Sequence, residues 1–369
     1  MRSFISKASK PVDYSIVITF FLLLGFGFLV LASASSSLGA EKFGDSYYFL
    51  KHQLVYGFMP GLLAFLILTR VNFRIFKNKF FALGLLLLTL IFVVLVFTPL
   101  GITAKGATRW ISLGPLTFQP AELLKISLII YLASWLARTS NRQTSLMSGL
   151  IPFSVILGIV SVPLILQNST APVGILILVS LVMYSMSGAR VRYVLGILLV
   201  GGLAVAIIVM ATPYRAQRIL TFLHPDDDIG AAGYHSMQAK TAIGAGGVTG
   251  VGLGQGAVKF NLPEPAGDSV FAVLAEEFGF VGVLALLGLF LFLILRMFLL
   301  SGSVRDQFGS LLLIGFGSLI ATQTIFNIGA MSGVLPLSGT PLPFISYGGT
   351  QLAVLMAMIG VTVNISRYQ

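Results

Sequence analysis

The chain has no cysteine, only three histidines, and only 12 acidic residues among 369. The missing cysteines exclude structural disulfides, haem–thiolate ligation, iron–sulfur clusters and Cys-ligated zinc, and they leave the redox compartment unmarked. His52, His224 and His235 have no close spacing, which speaks against a His-rich metal site. Charged residues make up 9% of the chain, against about 25% in a soluble domain. So little charge cannot cover a water-facing surface of this size. The net charge of +11 is spread from loop to loop, so it does not indicate a nucleic-acid-binding module.

What is present is apolar: 56% of residues are hydrophobic and the mean hydropathy is +0.97. Crossing a ~30 Å hydrocarbon core takes about 20 residues per helix. Apolar runs near 15–36, 51–69, 80–99, 120–137, 148–166, 171–188, 193–212, 269–295, 308–330 and 344–366 predict ten spans. The fold class expected is an all-α polytopic membrane protein, a single domain over 1–369, with one long, partly helical connection at 213–268 between helices 7 and 8. The connections on one side carry 14 Lys/Arg against two acids, and those on the other carry eight against seven. The Lys/Arg excess sets orientation, so both termini are expected in the cytoplasm. "MRSFISKASK", an apolar run and "LASASSS" also resemble a signal peptide. The run is long for that, and a retained first helix is read. Neither a short repeat nor the two-fold symmetry of transporter halves is visible.

The scarce carboxylates gather at 261–279, "NLPEPAGDSVFAVLAEEFG", which holds Glu264, Asp268, Glu276 and Glu277. Asp268 and Ser269 stand where the long loop meets an apolar helix. Both suit an N-cap, and a carboxylate there complements the helix dipole. The same position suits a general base at the boundary between water and lipid. Glu276 and Glu277 lie two turns deeper, where charge needs a partner, a proton or a wet cavity; helix–helix hydrogen bonding is the plainer reading. Glu122 and Lys125 are i, i+3 on one helix, either an internal ion pair or the polar wall of a substrate cleft. Lys105, Arg109, Arg215 and Arg218 break the positive-inside trend, and Lys240 lies in the same long loop. Such cations suit a phosphate or pyrophosphate, or they pair with Asp226, Asp227, Asp228 or lipid. "YHSMQAKTAIGAGG" reads as an amphipathic interfacial helix with Met237, Ile243 and Tyr234 toward the membrane. The glycines of "GAGGVTGVGLGQG" permit positive φ or close backbone approach to a ligand, or mark a flexible loop. "NIGAMSGVLPLSGTPLPFISYGGTQL" suits a broken or re-entrant segment packed inside protein.

Four blocks together carry a resemblance: "KGATRWISLGPLTFQPAELLKISLIIYLASWL", "YRAQRILTFLHPDDDIGAAGYHSMQAKTAIGAGGVTGVGLGQG", "LPEPAGDSVFAVLAEEFGFVG" and "LPLSGTPLPFISYGGT". In order and spacing they resemble the SEDS family, the group of FtsW, RodA and SpoVE, over nearly the whole chain. The opening "SASSSLGAEKFGDSYYFLKHQL" is more similar to FtsW, the division branch, than to RodA. The resemblance implies a ten-helix bundle that polymerises lipid II, the undecaprenyl-pyrophosphate-linked disaccharide pentapeptide. It implies that Asp268 is the essential aspartate, that Glu122 and Lys125 are the polar pair of the fourth helix, and that a class B penicillin-binding protein is a partner, alongside other division or elongation membrane proteins. Two departures stand out. "QNSTAP" places Ser169 where many members carry an aspartate, and "AGDS" replaces the usual "HTDF" around Asp268.

The expected chemistry is glycosyl transfer on the outer face, with Asp268 as base and the substrate's pyrophosphate and cleft served by Lys105, Arg109, Glu122, Lys125, Arg215, Arg218, Lys240 and Ser269. A divalent cation such as Mg²⁺ or Mn²⁺ is compatible with the pyrophosphate, although no ligand cage for one is visible. Two other classes compete: a lipid II flippase or transporter, and a non-catalytic scaffold for a penicillin-binding protein.

Overall fold

The computed structural model describes residues 11–104, 107–114, 116–138, 142–210, 220–223 and 231–368. Among them the ten expected spans are helices: α1 (Tyr14–Ala34), α3 (Tyr48–Leu68), α4 (Lys79–Leu95), α5 (Pro120–Leu136), α6 (Leu146–Leu166), α7 (Thr170–Met186), α8 (Val191–Met210), α10 (Val270–Ser303), α11 (Gln307–Ser332) and α12 (Gly349–Ile365). Two more, α2 (Ser36–Phe43) and α9 (Ala231–Ala245), lie in connections. Six of the spans are long and apolar enough to cross a membrane by length and composition. The chain is a multi-pass membrane protein.

The helix ends follow ordinary capping chemistry. The Asp13, Asn78 and Asp306 side chains accept from the backbone N–H two residues ahead and start α1, α4 and α11. Pro120 opens α5, where its missing N–H costs nothing. Gly333, with φ of 78°, closes α11. Asp306 also pairs with Lys77 at 2.9 Å and Arg74 at 3.4 Å, and Asp13 with Arg296 at 2.7 Å. The Asp13 N–H donates to Ser366 Oγ at 3.1 Å, so the beginning of α1 and the end of α12 share one end of the bundle.

α11 and α12 form the centre, and α3, α6 and the later part of α10 show long exposed apolar faces to lipid. α3 and α12 approach closely through small residues. Gly57 and Gly61 form a G-x-x-x-G pair, and a Cβ on Gly57 would stand 3.0 Å from Gly349 Cα. Pro60 sits inside this helix, and the turn before it, Leu54–Phe58, widens to π geometry. The rings of Phe20, Phe65 and Phe344 tie α1 and α3 to the segment before α12.

Two features depart from expectation. The connection between α4 and α5 is not irregular. It is a three-stranded antiparallel meander, β1 (Gly101–Ala104), β2 (Ala107–Leu113) and β3 (Leu116–Phe118). Its strands are short and its alternation is faint beside the neighbouring hydropathy. The second departure is in α10. At 34 residues an unbroken helix would run about 51 Å, far beyond a bilayer core. Gly279, with φ of 64° and ψ of −165°, breaks it. The part before the break is enclosed by protein, while Phe280, Val281 and Leu284 beyond it are exposed.

Candidate active site

The break in α10 removes helical hydrogen bonds, and the glycine-rich loop restores them. The carbonyls of Glu276 and Glu277 accept from the N–H groups of Val251 and Gly252 at 3.0 and 3.1 Å. The N–H groups of Phe280 and Val281 donate to Gly247 and Val248 carbonyls at 2.9 and 3.1 Å. The loop thus lies backbone against backbone. A Cβ on Gly246 would meet the Ala275 carbonyl at 2.0 Å, and one on Gly250 the Glu277 carbonyl at 2.2 Å. The close approach that these glycines permit is to α10 and not to a ligand, and buried peptide groups that would otherwise be orphaned are satisfied.

Both deep glutamates are structural. Glu276 Oε1 accepts from the N–H groups of Ala257 and Val258 at 2.7 and 2.9 Å, which starts the short turn Val258–Phe260. Lys259 of that turn reaches Glu277 at 2.9 Å, Ser33 Oγ of α1 at 3.0 Å and the Gly254 carbonyl at 3.0 Å. The Lys259 and Glu277 side chains are 2% and 0% exposed, so this ion pair is fully enclosed. Lys259 looks from the sequence like one more loop cation. Folding turns it inward.

Above this anchor the chain makes a tight turn around Asp268. The N–H groups of Gly267 and Ser269 both donate to the Glu264 carbonyl, and Glu264 takes a positive φ of 51°. The segment before α12 supports the turn. Tyr347 N–H donates to the Ala266 carbonyl at 2.8 Å, and Ser346 Oγ to the Gly267 carbonyl at 2.7 Å. From α11, Asn327 Nδ2 donates to both the Asp268 and the Thr340 carbonyls at 2.7 Å. Gly339 faces the carboxylate: a Cβ there would lie 3.7 Å from Asp268 Oδ2. The "NIGAMSG…SYGGT" run is therefore the cradle of Asp268, with Phe344 in a left-handed conformation (φ 64°) at its buried bend. Asp268 itself is half-buried, just before the N-terminus of the enclosed part of α10, where the helix dipole favours negative charge.

The other sequence-selected residues divide. Glu122 and Lys125 make an ion pair of 2.7 Å, at 5% and 2% exposure, so the internal-pair reading holds. Ser269 is completely buried and is not a surface substrate contact. Its side chain makes no capping bond; Oγ donates to the Pro263 carbonyl at 2.5 Å and lies 2.6 Å from His235 Nε2 of α9. Arg109 sits on β2 on the same face as buried Ala107 and Ile111, and its guanidinium donates to the Asn168 carbonyl between α6 and α7. Ser169 beside it is buried. Lys240 is exposed on α9, with its tip alongside Gly333. On α9, Tyr234 and Met237 are exposed as expected, whereas Ile243 packs on the core. Lys105, Arg215, Arg218 and Asp226, Asp227 and Asp228 lie outside the described residues. Among the described residues no three His, Asp or Glu side chains converge as metal ligands.

Residues 14–369 match the family described as cell cycle proteins, that of FtsW, RodA and SpoVE. The chain belongs to the FtsW/RodA/SpoVE family. A family member from Geobacter sp. (strain M18), named a probable peptidoglycan glycosyltransferase FtsW, is 36% identical over 96% of both chains. Stage V sporulation protein E of Bacillus subtilis is 35% identical over 98% of this chain and 99% of its own. A solved chain from a peptidoglycan synthase complex, described as structurally coordinating polymerization and crosslinking, superposes with a TM-score of 0.79 at 30% identity, covering 96% of this chain and 98% of that one. Within this family fold, the sequence did not link His235 to Ser269, or Asn327 and Ser346 to the turn that carries Asp268. Each is a polar residue whose partner lies far along the chain, so local pattern carries no sign of it.

Proposed function

We propose that this chain is a peptidoglycan glycosyltransferase that polymerises lipid II on the extracytoplasmic face of the cytoplasmic membrane, with Asp268 as general base. In this reading both termini are cytoplasmic, in keeping with the Lys/Arg excess at their end of the bundle. The acceptor sugar's 4-hydroxyl oxygen attacks the donor's anomeric carbon as its proton passes to the Asp268 carboxylate. The bond from that carbon to the diphosphate breaks, the anomeric centre inverts, and undecaprenyl pyrophosphate leaves. Cations of the same loops, Lys105, Arg109, Arg215, Arg218 and Lys240, stabilise the charge that develops on the leaving group. Among the described residues no three His, Asp or Glu side chains converge as a metal cage, and a divalent cation that came with the substrate would be held in part by the diphosphate's own oxygens.

The observation that carries the reading is the cradle. A half-buried carboxylate stands before an enclosed half-helix and is gripped through its backbone by α11 and by the segment before α12. Proteins hold a catalytic group this way because a base must be placed to well under an ångström to be effective. The named activity of the Geobacter relative agrees with it. A class B penicillin-binding protein is the proposed partner, in keeping with the coupled polymerization and crosslinking described for the synthase complex.

A positioned base contributes roughly 10²–10⁴-fold. Purified Asp268→Asn protein with lipid II should therefore make glycan strands at least about 100-fold more slowly on a gel, with or without the cognate penicillin-binding protein. Strand synthesis at the wild-type rate would remove Asp268 from the mechanism. Transbilayer movement of fluorescent lipid II without polymer would point to a flippase instead.

A further inference from the structure

His235 has no place in the chemistry above, yet it touches the residue next to Asp268. Ser269 Oγ lies 2.5 Å from the Pro263 carbonyl and 2.6 Å from His235 Nε2. A carbonyl has no proton to give, so the single Ser269 hydroxyl proton lies on the line to Pro263. His235 Nε2 must then be the donor to Ser269. We propose that His235 is a positioning residue for Asp268, acting through Ser269: Nε2–H donates to Ser269 Oγ, and Ser269 O–H donates to Pro263.

The relay ties α9 to both ends of the turn that carries Asp268. Pro263 precedes the turn, and Ser269 follows the carboxylate directly. Ser269 is 0% exposed, so water cannot replace a lost donor without opening the site. On the opposite side Asn327 holds the Asp268 carbonyl at 2.7 Å. The backbone that carries the carboxylate is thus held from α9, through Ser269, and from α11, through the Asp268 carbonyl. The direction of donation also selects the tautomer, because neutral His235 must carry its proton on Nε2. Protonation of the ring leaves that donor in place, so the relay does not depend on imidazole charge.

This inference rests on Asp268 as the base, and the test separates the two. Lipid II polymerisation is measured for His235→Ala, His235→Gln, Ser269→Ala and the His235→Ala/Ser269→Ala pair beside Asp268→Asn. Glutamine places an N–H near the position of histidine Nε2. The expected result is a kcat about 10-fold lower for His235→Ala with KM little changed, and recovery to within about 3-fold in His235→Gln, since one buried hydrogen bond is at stake. The pair should be no slower than Ser269→Ala alone, because that variant already removes the link that His235→Ala removes. Independently of activity, ¹⁵N-histidine NMR of the wild type should show one of the three histidines locked as the Nε2–H tautomer, released by Ser269→Ala. Wild-type kcat in His235→Ala, equal loss in the alanine and glutamine variants, or an Nδ1–H tautomer would each overturn the relay. If the alanine variant does not fold, the glutamine variant and the NMR tautomer decide. Wild-type activity in Asp268→Asn would instead remove the base reading, while the tautomer would still report whether the hydrogen bonds exist.

Discussion

The buried pair of Lys259 and Glu277 permits a quantitative prediction. Replacing Lys259 by methionine keeps the apolar stem and deletes the charge, leaving Glu277 enclosed, with Ser33 Oγ as a side-chain hydrogen-bond partner. Breaking a buried pair from one side costs about 3–5 kcal/mol. Lys259→Met should therefore lose about 3–5 kcal/mol. Adding Glu277→Gln, which has no charge to strand, should restore all but about 1–2 kcal/mol. The assay is unfolding by SDS titration of protein in mild detergent micelles, run as a double-mutant cycle. Additive losses from the two substitutions would refute the account of an enclosed ion pair that anchors the loop to α1 and α10.

Further outcomes follow from the same geometry. Gly250→Ala sets a Cβ 2.2 Å from the Glu277 carbonyl at a φ of 80°, so it should destabilise by more than the ~1–2 kcal/mol of a left-handed alanine alone. Gly244→Ala, with open space around it, should not, and protease resistance of the 244–256 loop distinguishes the two. Burial first, and then the neighbouring Tyr48, push the Tyr347 hydroxyl up to about 12. Its contribution to stability is complete below the ordinary tyrosine value near 10 and is lost as pH rises through about 12. An absorbance titration should accordingly lose its most alkaline phenolate component in Tyr347→Phe.

How much could be read from residues alone differs from element to element. The ten spans were legible, as were the carboxylate at the loop–helix junction and the i, i+3 pair of Glu122 and Lys125. Each depends on a short window: twenty apolar residues, an acid before an apolar run, two charges one turn apart. The meander at 101–118 was not legible, because its strands are only four, seven and three residues long. Gly279 gave no warning either. It sits in "EEFGFVG", which continues the apolar pattern without a pause.

The sequence by itself determined that this chain crosses a membrane many times and where its scarce charges fall. Lipid imposes that condition segment by segment, so each run of residues answers it alone. Only the tertiary structure decided that Lys259 turns inward, that the glycines close on α10, and that His235, Asn327 and Ser346 converge on one turn. Those outcomes depend on hydrogen-bonding groups that must find partners away from water, and their partners come from segments distant in the chain.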